Sequence, residues 1–91
     1  MPSKIITVST TPTKLLDMMA CREQYIIQNQ DLSNDLYIND NDQVATSGTR
    51  KGRILAPMGI ESASKNEDPA LIKKEQYGVA ATSITVWVWE A

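Results

Sequence analysis

The sequence predicts an all-β fold, a small antiparallel β-sandwich of about six to eight short strands, and three observations carry that expectation. Apolar residues recur mostly at every second position; no convincing long helix is present; and Gly, Pro, Asn and Asp interrupt the apolar runs at short intervals. Jelly-roll, immunoglobulin-like and barrel-like arrangements all fit this pattern. The 91 residues make one domain, 1–91, with no room for a second core.

"KIITVST" alternates weakly through Ile6 and Val8 and opens the chain as a strand, although residues 1–12 also fit an extended arm. "TPTKLLDMMA" is ambiguous: Leu15, Leu16, Met18, Met19 and Ala20 fit one helical turn, or a short strand followed by a loop. In "REQYIIQNQ", Tyr25, Ile27 and Asn29 share one face, and Ile26 and Gln28 the other. In "NDLYIND", Leu36 and Ile38 oppose Tyr37 and Asn39. The polar bridge between these runs predicts a β-hairpin or a tight arch.

"NDNDQVATSGTRKGR" reads as a loop, "RILAP" as a short strand, and "MGIESAS" as its partner after a turn at Met58-Gly59. "KNEDPALIKKEQ" is polar, with a possible helical turn at Leu71 and Ile72, and "YGVAATS" reads as a strand bent or bulged at Gly78. The terminal "SITVWVWEA" is the strongest strand signal. Ile84, Val86 and Val88 fall on one face, and Thr85, Trp87 and Trp89 on the other.

Composition narrows the function classes. Histidine is absent, which removes the commonest general base and the commonest metal ligand, and the reading is that this is not an enzyme. No P-loop, dinucleotide fingerprint or nucleophile elbow occurs, and no cofactor is expected. The net charge of −2 gives no field that would draw nucleic acid or an anionic membrane. One cysteine, Cys21, makes no internal disulfide and suits a reduced compartment. The opening "MPSKIITVSTT" lacks the apolar core of a secretory leader, and no segment approaches the ~20 apolar residues of a membrane helix.

The order "R-x-x-Y-I-I-Q-N", "D-L-Y-I", "G-x-x-L-A-P-x-G", "Y-G-V-A-A" and "I-T-V-W-V-W-E-A" resembles a class of small bacteriophage virion proteins, over about Arg22 to Ala91. Those are compact β-sandwiches of the head decoration, cement or capsid-fibre type. In such proteins the turn after the "LYI" strand is usually Gly-rich, whereas here it is "NDND". The resemblance implies one core cluster of Tyr25, Ile27, Leu36, Ile38, Leu55, Ile84, Val86 and Val88. It places Asn29 as a partly buried amide bonded to turn backbone. It also implies a partner, the major capsid protein, self-association with a trimer favoured, and a place on the capsid surface after assembly in the host cytoplasm.

Five residues are candidate partner contacts. Trp87 and Trp89 face outward if the valines face the core, and paired exposed indoles are common at interfaces. The bland alternative covers them with the N-terminal segment or buries both faces of a central strand. Arg50, Lys51 and Arg53 form a basic cluster that is weak for DNA and reads first as a solvated loop, then as a grip on an acidic capsid patch. Asp35, Asp40, Asn41 and Asp42 suggest an oxygen-rich cation site but lack the spacing of a calcium loop, so turn chemistry explains them and no metal is expected. Cys21 beside Arg22 reads as a packed thiol rather than an activated one. Glu61, Glu67, Asp68 and Glu75 lack a spacing that would put two carboxylates across a substrate.

The function expected from these readings is capsid decoration, with no nucleic acid and no membrane as partner. The rivals are a carbohydrate-binding or adhesin module, in which the indoles stack on sugar rings, and a tail or connector accessory protein.

Overall fold

The structure, a computed structural model, describes residues 3–18, 22–40, 43–46, 52–64, 66, 72 and 74–91. It is a β-sandwich of eight strands in two antiparallel sheets. In chain order the strands are β1 (Ser3–Val8), β2 (Thr13–Leu16), β3 (Gln24–Asn29), β4 (Leu36–Asn39), β5 (Arg53–Leu55), β6 (Ile60–Ser64), β7 (Gln76–Val79) and β8 (Ile84–Glu90). One sheet has the order β1-β8-β3-β6 and the other β2-β7-β4-β5. Six of the seven connections cross from one sheet to the other; only β4 and β5 are consecutive neighbours within a sheet. This is the jelly-roll arrangement, so the barrel-like and immunoglobulin-like alternatives fall away.

Period two sorts the side chains as the strands require. β3 and β4 alternate strictly, with Tyr25, Ile27, Asn29, Leu36 and Ile38 buried. β8 buries Ile84, Val86 and Val88. Together with Val8, Leu15, Leu16, Ala63, Ile72 and Ala80 they form the core between the sheets, and Leu55 packs against it partly buried.

Two expectations are overturned, the pairing of "RILAP" with "MGIESAS" and the irregularity at Gly78, and two open readings, hairpin or arch and strand or arm, are decided. β3 and β4 form an arch, not a hairpin: they lie in opposite sheets and press Tyr25, Ile27, Leu36 and Ile38 into the core from both sides. "RILAP" and "MGIESAS" are also not partners. β5 pairs with β4 and β6 with β3, so the turn between them is a second arch. That turn has Pro57 and then Met58 at φ 62°, closed by the Gly59 N–H donating to the Ala56 carbonyl at 2.8 Å. The irregularity expected at Gly78 lies across the ladder in β2, where Lys14 and Leu16 pair with consecutive residues of β7. The extra residue, Leu15, is why two adjacent leucines both reach the core. Finally, residues 3–8, open to reading as an arm, pair along their whole length with β8.

Of the helical turn expected near Leu71 and Ile72, Leu71 lies outside the described residues and Ile72 is a buried turn residue.

Two buried polar side chains hold the ends. At one end, the Asn29 Nδ2 donates to the carbonyls of Asn34 (2.8 Å), Leu55 (3.1 Å) and Ala56 (3.3 Å), and its Oδ1 accepts from the Asp31 N–H. The Asn29 amide therefore ties both arches together. At the other end, the Arg22 guanidinium joins the β2–β3 and β6–β7 crossings to the end of β8. Gly52, at φ +66°, takes a left-handed conformation in which a Cβ would sit 2.1 Å from the Ile38 carbonyl oxygen.

Candidate functional site

The outer face of the β1-β8-β3-β6 sheet is assembled by strand register. Ile5 of β1, Trp87 of β8, Gln28 of β3 and Ile60 of β6 make one row across all four strands. Ser3, Trp89, Ile26 and Ser62 make the next. Thr7 and Thr85 pair above these rows, Gln24 and Ser64 below. Every one of these outward positions is uncharged, on a chain where 22% of residues are charged. The two indoles are half-buried against their neighbours, whereas Ile5 and Ile60 stand 58% and 60% exposed. β8 is interior within its sheet, but no described residue places a second layer over this face.

With strands about 4.8 Å apart and successive rows about 6.8 Å apart, the two rows span roughly 19 by 13 Å, or about 250 Å² in projection. That is below the roughly 300–600 Å² of a typical monomer's largest apolar patch and well below the ~800 Å² per partner of a standard interface. A partner engaging it would therefore also use the Thr, Ser and Gln rim.

The opposite sheet lacks this character. Its outer face carries Lys14, Asn39, Tyr37 and Tyr77 with the exposed Ile54, and the Lys14 ammonium lies 5.7 Å from the centre of the Tyr77 ring. Lys14 also pairs with Asp17 and Glu75, and its pKa is raised, first by Tyr77 and then by Asp17.

The other expected contacts do not join the indoles. Arg50 and Lys51 lie outside the described residues. Arg53 is not a free basic contact. It points between the sheets, where its Nε is 2.6 Å from Glu61 Oε1 and its Nη2 donates to Glu61 Oε2 at 3.0 Å and to Gln76 Oε1 at 2.7 Å. Burial works against the Arg53 charge, but the Glu61 carboxylate more than offsets it and raises the guanidinium pKa. Glu61 also accepts from the Tyr25 hydroxyl at 2.9 Å. This chain of contacts closes one long side of the sandwich, between the edge strands β5 and β6. Behind it, the buried Gln76 Nε2 has no hydrogen-bond partner among the described residues.

Asp40 pairs with Lys74 at 3.1 Å, and Asn41 and Asp42 lie outside the described residues, as do Cys21, Glu67 and Asp68. Among the described residues no three His, Cys, Asp or Glu side chains gather as a metal site would require. A cavity of about 440 Å³ lies at the Arg22 end, lined by Glu23, Gln24, Ser64, Asn66 and Ala91, and neither indole borders it.

No family model, curated protein or solved structure matches this chain. The site therefore rests on its own geometry. Sequence reasoning singled out the indoles but missed Ile5, Ile26 and Ile60 as members of the same surface. Their shared face was visible in each strand's alternation; their adjacency depends on strand order, which alternation does not encode.

Proposed function

We propose that this chain is a non-enzymatic structural protein that docks onto a protein surface through the outer face of its β1-β8-β3-β6 sheet, as a decoration protein on a phage capsid. The observation that carries the reading is the pair of uncharged cross-strand rows centred on Trp87 and Trp89. Aromatic anchors ringed by small polar groups are how docking surfaces concentrate their binding energy. Jelly rolls are frequent among viral capsid and lectin domains, which is support by analogy, since a fold does not dictate a function. The resemblance of "R-x-x-Y-I-I-Q-N" through "I-T-V-W-V-W-E-A" to virion proteins points the same way.

The mechanism is mechanical. A capsid subunit covers the indoles and the exposed isoleucines, removing apolar area worth about 25 cal/mol per Å² from water. A copy bound across a subunit junction favours the assembled shell, as any ligand favours the state that binds it. The partner is the major capsid protein, and repetition over a lattice multiplies weak single contacts.

The purified chain should co-sediment with undecorated phage heads, and Trp87→Ala and Trp89→Ala should each weaken that binding tenfold or more. A flat face bearing two indoles also suits sugar stacking. Retention on a glycan array without co-sedimentation would replace the capsid reading with the carbohydrate one.

A further inference from the structure

We propose that a second copy of this chain pairs with the first along the free edge of β1, antiparallel, about a twofold axis at Ile5, in place of the trimer that the resemblance implies. Each sandwich has four edge strands, and three of them are unsuited to pairing. β2 is broken by its bulge at Leu15. β5 is three residues long and points Arg53 inward. β6 points Glu61 inward, where Arg53 and Tyr25 hold it. Bulges, short length and inward charges are the devices that keep sheet edges from joining.

β1 is the longest of the four; it too carries an inward-facing charge, Lys4 opposite Val88, but Lys4 is exposed whereas Arg53 and Glu61 are held in an ion pair. Its six residues keep an unbroken register with β8, and among the described residues none makes a backbone hydrogen bond outside that ladder. Its core, Ile5-Ile6-Thr7-Val8, is wholly β-branched, the composition that best suits a pleated edge. Lys4 is its one charge.

That charge excludes one register, and the exposure of Ile5 chooses among the others. A twofold axis through Lys4 would set two ammonium groups directly opposite, which is unfavourable. With the axis at Ile5, Lys4 faces the partner's Ile6, Ser3 faces the partner's Thr7, and Ile5 meets the partner's Ile5. The residue that stands 58% exposed in one copy is then covered by its own twin. Both four-stranded sheets become one sheet of twice the width. The Ile60, Gln28, Trp87 and Ile5 row runs into its symmetry mate, so the uncharged face is continuous across the pair. An edge contact of this kind buries less than the ~1,200 Å² of a standard interface, so the pair forms at high concentration or on a surface that holds copies close. The pairing does not depend on what the face docks to.

Sedimentation velocity on a Cys21→Ser background, from about 10 µM to about 1 mM, should show the mass rising from 10.1 kDa toward twice that value. Ile5→Lys should raise the dimer Kd tenfold or more by opposing two cations. Ile60→Lys, on the same face at the far edge, should leave it within about twofold. Under mild oxidation Ile5→Cys should form a disulfide-linked dimer and Ile60→Cys should not. A monomer throughout the range, a trimer, or equal loss in Ile5→Lys and Ile60→Lys would overturn the pairing. Loss of capsid binding with the dimer intact would overturn only the docking reading.

Discussion

Arg22 and Glu90 lie 68 residues apart in sequence, yet the guanidinium Nε and Nη2 both reach the same carboxylate oxygen, Glu90 Oε1, at 3.1 Å. The Arg22 side chain is fully buried. Its remaining donors go to the carbonyls of Asp17 (2.6 Å), Ile72 (2.9 Å) and Lys74 (3.4 Å). One guanidinium thus ties the entry to β3, the exit from β8, the end of β2 and the approach to β7.

Removing it should be costly. Arg22→Ala leaves buried carbonyls and a carboxylate without their donor, and should destabilise the protein by about 3–5 kcal/mol. Arg22→Lys should recover little, because an ammonium cannot match the planar fork. The midpoint of urea unfolding measures both; a loss below about 1 kcal/mol for Arg22→Ala would show that Arg22 is not the clamp.

Asn29 does the same work at the opposite end. Asn29→Leu keeps most of the volume but strands the carbonyls of Asn34, Leu55 and Ala56 and the Asp31 N–H. A loss of about 2–3 kcal/mol is expected. Amide exchange should accelerate first in the two arches, near Asp31 and Met58, before it does so in β8.

Gly78 is a packing requirement. A Cβ there would lie 3.0 Å from both Leu15 Cδ1 and Leu36 Cδ1, side chains already fixed in the core. Gly78→Ala should lower stability by about 1–3 kcal/mol through overpacking. Combining it with Leu15→Val should return part of that loss, a non-additivity that thermal denaturation of the double variant can read.

Asp31 supplies the pH dependence. Its carboxylate accepts from the backbone N–H groups of Ser33 and Asn34, which lowers its pKa from the ordinary 3.8. A lowered folded value means the stabilisation is complete above the ordinary value and is lost as pH falls through the lowered one. The stability gap between the wild type and Asp31→Ala should therefore be constant at neutral pH and close as pH drops below 3.8. A gap that ignores pH would sink this account.

Much of the fold was legible in the residues. Alternation placed Tyr25, Ile27, Leu36, Ile38, Ile84, Val86 and Val88 on inward faces, and burial follows that assignment. It also put Trp87 and Trp89 together on the other face of β8. The residues it misread are those whose partners are distant in sequence. Arg53 looked like part of a basic loop because Glu61 and Gln76 approach it from β6 and β7. Arg22 looked like the neighbour of Cys21, because nothing local announces Glu90 or Ile72 as its partners.

The residues by themselves determined which side of each strand is wet, because a strand turns its side chains over at every step whatever lies beside it. Only the folded chain decided that β8 lies between β1 and β3, that β5 and β6 part company across an arch, and that Ile5, Ile26 and Ile60 border the indoles. The reason is physical: pleating is a property of a few consecutive peptide units, whereas the choice of neighbour is a contest among distant segments in which longer loops add little entropic cost. Side-chain pairs such as Asn29 with the two arches and Arg22 with Glu90 then settle that contest.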